Sequence, residues 1–147
     1  MILQEWDITL TLTEDREYLS ELIRKNKYSL LNDRGIQKLL EYVRYVWVGT
    51  TGGIPGGVLF FCYYPSVNRW TFDAYKEDEL LKSIDNKGNF SYRAGKLVLD
   101  WFFQQKFSET IFTMHDVTNR GATIVCKRLG FRPVECSDGF ITLERRA

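Results

Sequence analysis

The 147-residue chain predicts an α+β domain of three layers, a mixed central sheet with helices on both faces. Two patterns carry that prediction. Three apolar or aromatic segments follow one another between Tyr45 and Tyr75, which is a strand meander. After it, helical and strand-like segments alternate, which implies β-α units packed on the same sheet. At about 100–200 residues per domain, the length suits one domain over residues 1–147.

The elements follow in order. Residues 2–12 alternate, with Trp6, Ile8, Leu10 and Leu12 on one side and Asp7, Thr9 and Thr11 on the other, as a half-buried strand does. Thr13 then has the chemistry of a helix cap. Glu14 and Asp15 suit the positive end of the helix dipole, and Arg24 and Lys25 suit the negative end. Tyr18, Leu19, Leu22 and Ile23 share one face. A second helix starts near Asn32 or Asp33, with Ile36, Leu39, Leu40 and Val43 at helical spacing.

Tyr45 to Thr50 reads as a strand, and Thr50 to Gly57 as a flexible turn-forming tip with four glycines and a proline. Val58 to Tyr64 is a continuous apolar strand suited to a central position. Pro65 to Asn68 turns the chain into a third strand, Arg69 to Tyr75. Residues 76–91 are polar and read as a loop, with one helical turn at Asp78 to Leu81. Ala94, Leu97, Val98, Trp101 and Phe102 then place a helix from about Tyr92 to Lys106.

Thr110 to Met114 is a strand. Ala122, Val125, Cys126 and Leu129 give a helix that Gly130 stops. Phe131 to Glu135 and Gly139 to Leu143 form a closing hairpin around Ser137, Asp138 and Gly139.

Composition narrows the function. Lys plus Arg number 20 against 19 Asp plus Glu, so no global field draws nucleic acid or an acidic membrane. The three cysteines, Cys62, Cys126 and Cys136, form no CxxC pair and read as reduced intracellular thiols. One histidine and scattered cysteines give no zinc spacing, so no metal is expected. The glycines around Ile54 and Pro55 lack the Lys-Ser/Thr of a phosphate loop. The amino terminus has no signal-peptide pattern and no stretch has the length of a membrane span, so a cytoplasmic protein is expected.

One segment carries a resemblance. Asn119 to Phe131 fits, without a gap, the pattern Asn, two residues, Ala, three residues, Tyr, two residues, Leu-Gly-Phe. Asn119, Ala122, Leu129, Gly130 and Phe131 match, and Cys126 stands in the tyrosine's place. With the element order, this resembles the GCN5-related N-acetyltransferases. Asp100 to Phe103, taken with that segment, is similar to acetyltransferase-like proteins of bacteriophages, some tied to particle assembly.

The resemblance implies an acyl-CoA N-acyltransferase-like fold, acetyl-CoA as co-substrate and an amine acceptor. Relatives hold the pyrophosphate on a Gln/Arg-x-x-Gly-x-Gly/Ala loop at the start of the third helix. The aligned residues here are Phe90 to Gly95, and only Gly95 agrees. Arg93 and Lys96 either bind phosphate by charge or form a solvated basic helix start. Ala74, Tyr75, Ala94, Asn119 and Ala122 complete the implied cofactor contacts. Asp73 lies where relatives carry a carboxylate base. His115 is a proton carrier or a merely hydrogen-bonded strand end. Cys126 is a proton donor to the leaving thiolate or a small core residue.

Two functions remain open at this point. One is acetyl transfer. The other is a non-catalytic protein acting on a protein partner, for which Tyr63, Tyr64, Trp70, Phe72 and Tyr75 offer aromatic surface or simply fill the core. Homodimerisation through the sheet edge or C-terminal strands is a further implication of the resemblance.

Overall fold

Alternation and turn chemistry set the strands of the computed structural model, in which residues 1–77 and 89–147 are described. Residues 2–12 make two strands, not one: β1 (Ile2–Glu5) and β2 (Ile8–Thr13) pair as a hairpin. The reversal falls at Trp6, whose backbone is left-handed at φ 56°. A period-two pattern cannot reveal such a turn, because a two-residue loop preserves the alternation.

Helix α1 (Glu17–Lys25) starts four residues beyond Thr13. Thr13 Oγ1 instead accepts the Asp15 amide, and Asp15 Oδ1 accepts that of Glu17. Helix α2 (Asp33–Tyr42) is capped by Asn32, whose Oδ1 accepts the Gly35 amide at 2.8 Å.

Strands β3 (Val43–Thr51) and β4 (Ile54–Tyr64) are longer than the glycine content suggests. Gly52 and Gly53 alone make the turn, both at positive φ, so Ile54 to Gly57 belong to the strand and not to a flexible tip. A short 3₁₀ turn (Pro65–Val67) leads to β5 (Arg69–Lys76). The helical turn expected at Asp78 to Leu81 lies outside the described residues. Helix α3 (Asn89–Gln104) is already helical at Asn89, three residues before the expected start. Strand β6 (Thr110–Asp116), helix α4 (Arg120–Arg128) and the hairpin β7 (Arg132–Ser137) and β8 (Phe140–Arg146) complete the chain.

The strands form one eight-stranded sheet in the order β1-β2-β3-β4-β5-β6-β8-β7. All neighbours are antiparallel except β5 and β6, which run parallel. Helices cover both faces. Leu19, Leu22, Ile23 and Ile36 of α1 and α2 pack on Val46, Val58, Phe60 and Cys62. On the other face, α3 and α4 pack on Trp47, Leu59, Phe61 and Phe72 through Phe90, Val98, Trp101, Phe102 and Leu129.

That second face is rich in rings. Tyr45, Phe107 and Trp70 stack nearly parallel, with Tyr45–Phe107 and Trp70–Phe107 centroids both 5.2 Å apart. Phe72 is buried, Trp70 and Tyr63 pack 5.0 Å apart, and Tyr75 stacks on Phe60. Trp70, Tyr64 and Tyr75 are half-buried against the two cores, so these strand aromatics serve packing first, while Tyr63 lies half-exposed with its hydroxyl bonded to Asn68.

Candidate active site

Among the described strands, the sheet opens at its one parallel step. Strands β5 and β6 share a single register pair, Thr71 with Phe112, near their N-terminal ends. Every antiparallel neighbour shares at least four. Beyond Thr71 and Phe112 no ladder pair joins Asp73–Lys76 to Thr113–Asp116, so the two strands part and leave a gap there. Tyrosine and phenylalanine rings of α3 do not fill it. Phe90 is buried in a notch made by two glycines: a Cβ on Gly56 or Gly49 would lie 2.4 or 2.7 Å from its Cζ. Tyr92 lies under the Arg128 guanidinium, 4.3 Å from ring centroid to Cζ.

Asp73 stands on the rim of the gap. Its neighbours Phe72 and Ala74 turn to the α3/α4 face, so Asp73 points to the α1/α2 face with Tyr75. Desolvation pushes its carboxyl up to about 7, only partly offset by the Ala74 amide, which donates to Oδ1 at 2.8 Å. Its charge reaches several acids around the gap. Burial first, and then Asp73, raise the Tyr75 hydroxyl and push the Cys126 thiol up to about 12. The Cys62 thiol is likewise pushed up to about 12, chiefly by burial. Asp73 and Cys126 are thus brought within electrostatic reach of one another.

Cys126 is buried on the core face of α4. A thiol held near 12 keeps its proton at neutral pH. Passing it to a thiolate with an ordinary value near ~8.5 runs uphill, so Cys126 fits the core role and not that of proton donor.

His115 is turned to α4. Its Nε2 lies 2.7 Å from Thr123 Oγ1 on α4, a partner the sequence pattern did not single out. Burial lowers its pKa, against a smaller opposing effect of Asp116, so the ring is neutral at physiological pH. Asp116 is held low by hydrogen bonds from the Thr118 hydroxyl and amide. Asn119 caps α4, with Oδ1 accepting the Ala122 amide at 3.2 Å. Both residues sit at the helix start beside the open end of the gap, where free amides and the dipole favour a negative group.

Phe90 to Gly95, the residues expected to hold the pyrophosphate, stand at the start of α3. These residues are the first turns of α3, so their amides are mostly committed to the helix. Ala94 is fully buried. Gly95 serves helix packing, since a Cβ there would lie 2.8 Å from Leu129 Cδ1. Arg93 is turned to the β1–β2 hairpin. It pairs with Asp7 at 2.8 Å, and that bond is the main reason the Asp7 carboxyl is held low. Asp7 also accepts from the Thr51 hydroxyl at 2.8 Å. Lys96 alone of the basic pair remains open to solvent. Sequence spacing could not foresee this, because the ion pair joins residues 86 positions apart.

An expected result follows. Arg93→Gln should lower stability by no more than about 1 kcal/mol, as partly exposed ion pairs do. It should leave any affinity for acetyl-CoA, the co-substrate the resemblance implies, within about twofold, a change worth less than half of the 1.4 kcal/mol per tenfold. Titration calorimetry of the variant checks this, and a tenfold loss of affinity would restore Arg93 to the binding site.

Among the described residues, no group of three or more His, Cys, Asp and Glu is placed to hold a metal ion. No described helix is long and apolar enough to cross a membrane.

No protein-family model matches the chain, and no curated protein matches it. Solved structures do. An acetyltransferase from Agrobacterium tumefaciens superposes with a TM-score of 0.75 at 12% identity, over 100% of this chain and 95% of that one. RimL, a ribosomal alpha-N-protein acetyltransferase solved in complex with coenzyme A, gives 0.71 at 13% identity over 99% and 98%. The N-acetyltransferase PseH of Campylobacter jejuni gives 0.62 at 18% identity over 95% and 98%. Identities this low speak for architecture alone. The chain has the acyl-CoA N-acyltransferase-like fold that these acetyltransferases share.

Proposed function

We propose that the chain binds acetyl-CoA in the gap between β5 and β6 and transfers the acetyl group to an amine. The observation that carries this reading is the single-pair parallel step of the sheet with a desolvated carboxylate on its rim. A splayed pair of strands leaves backbone groups without ladder partners, and an extended amide-bearing chain can take their place. The fold likeness to a coenzyme A complex supports the same site.

The residues divide the work simply. Asp73, half ionised near neutral pH, takes a proton from the attacking amine, for which a base near the working pH is best suited. Acetyl-CoA supplies the activated acyl group, whose C–S bond breaks as the N–C bond forms. The start of α4, at Asn119 and Ala122, faces negative groups of the ligand. Cys126 holds its own proton, so the leaving thiolate takes one from solvent or from the acceptor. Ala74 and Tyr75 line β5 beside the gap. The fit is incomplete on one count, because residues 90–95 offer no phosphate cradle.

On this reading the protein works in a cytoplasm, where acetyl-CoA and reduced thiols coexist. The phage-like character of Asp100 to Phe103 belongs to the same reading, as a statement of origin and not of activity.

A thermal melt with acetyl-CoA tests the proposal. At a hundredfold excess over Kd, ligand binding adds about 2.7 kcal/mol, several degrees for a domain of this size. Release of free thiol in the presence of primary amines should accompany it. A midpoint indifferent to both acetyl-CoA and CoA would overturn the reading.

A further inference from the structure

We propose that the cleft between α3 and α4, away from the β5–β6 gap, is a binding site for a terminal phosphate monoester. The cleft has a volume of about 220 Å³ and is lined by Tyr92, Lys96, Asp100, Arg128 and Arg145, together with Leu129 and Gly130. Helical spacing puts Tyr92, Lys96 and Asp100 on one face of α3. Arg128 comes from the last turn of α4, and Arg145 from β8.

Charge and order both point to an anion. Three cations meet one carboxylate, an excess of two positive charges that a phosphate dianion would cancel. The carboxylate offsets only one of them: Asp100 lies 3.9 Å from Arg145 and is itself half exposed. Among the described residues, neither Lys96 nor Arg128 has an ion-pair partner. Both arginines are held in place by rings, Arg128 over Tyr92 at 4.3 Å and Arg145 over Phe103 at 5.0 Å. A guanidinium stacked this way loses less freedom when it binds and presents its fork edge outwards, the geometry that suits phosphate. The close approach of the helices that shapes the cleft depends on Gly95, against which Leu129 packs.

The ligand is therefore either the 3′-phosphate of CoA or the phosphate of a separate small molecule. The first source rests on the acetyl-CoA reading above and would compensate for the missing cradle at residues 90–95. The second does not rest on it.

Calorimetric titration of CoA, dephospho-CoA and inorganic phosphate into the wild-type protein and a Lys96→Gln, Arg128→Gln variant decides the matter. If the cofactor's phosphate is held here, CoA binds wild type about tenfold more tightly than dephospho-CoA, and the variant loses the difference. If a separate ligand is held, the two cofactors bind alike, while inorganic phosphate binds wild type and not the variant. That result stands even when neither cofactor binds, an outcome that sinks the acetyl-CoA reading alone. Equal affinity of wild type and variant for CoA, dephospho-CoA and phosphate overturns the proposal. Lys96→Gln by itself, at an exposed position, keeps the test open should loss of the Arg128 stack unsettle α4.

Discussion

On the proposed acetyl transfer, Asp73→Asn is expected to lower the rate by about 10² to 10⁴-fold, the usual worth of a positioned general base, while leaving acetyl-CoA affinity intact. The pH profile carries the sharper signature. The wild-type rate should rise with pH through a midpoint at about 7, where the Asp73 carboxyl ionises, and then level off. The variant should be slow and lack that limb. Stability moves the other way. The folded carboxyl titrates at about 7 and the unfolded one near 3.8, so between those values the folded state binds more protons. Its contribution is fully present below the lower value and is lost as pH rises through the upper one. The asparagine variant lacks this loss and should melt at least as high as wild type at pH 8. Kinetics and melting across pH 5 to 9 check both limbs. An Asp73→Asn variant with wild-type rate and profile would remove Asp73 from the chemistry.

Gly57→Ala is expected to cost about 3 kcal/mol, from overpacking added to a backbone conformation closed to side chains. Gly57 has φ 139°, and a Cβ there would lie 2.2 Å from the Tyr75 carbonyl oxygen. The clashing atom is backbone, so no side-chain rotation relieves it. Either β4 or β5 must move, at the register pair of Gly57 with Lys76 beside the gap. A drop of roughly 6–12 °C in the melting midpoint should follow. Gly53→Ala makes the control. Its φ is 80°, but nothing lies within 4 Å, so it pays only the left-handed backbone, about 1 kcal/mol. Equal effects at the two positions would show that conformation, and not contact with β5, sets the requirement.

Much of the architecture is legible along the chain. The three-layer prediction rests on local periodicity, and local periodicity is what α2, β5, α4 and the final hairpin obey. Asn32 and Asn119 act as caps because a short side-chain oxygen reaches its own helix amides. The segment from Asn119 to Phe131 folds as its pattern implies, with Gly130 left-handed after the helix. The misreadings are equally physical. Trp6 turns a hairpin without glycine, and the Gly56–Gly57 pair serves close packing under Phe90 and Tyr75 instead of flexibility.

The candidate site divides along the same line. Side-chain type says which residues can carry a proton or a charge, and the family resemblance picks Asp73, Cys126, Arg93 and Lys96 out of them, with His115 as the single histidine. Their roles depend on partners far away in the chain. Asp7 draws Arg93 aside, Leu129 takes the space beside Gly95, Thr123 holds His115, and burial keeps the proton on Cys126. Arg128 and Arg145 join Lys96 only because α3, α4 and β8 meet at one cleft. Desolvation and long-range pairing set these outcomes, and neither has a period that a linear sequence can display.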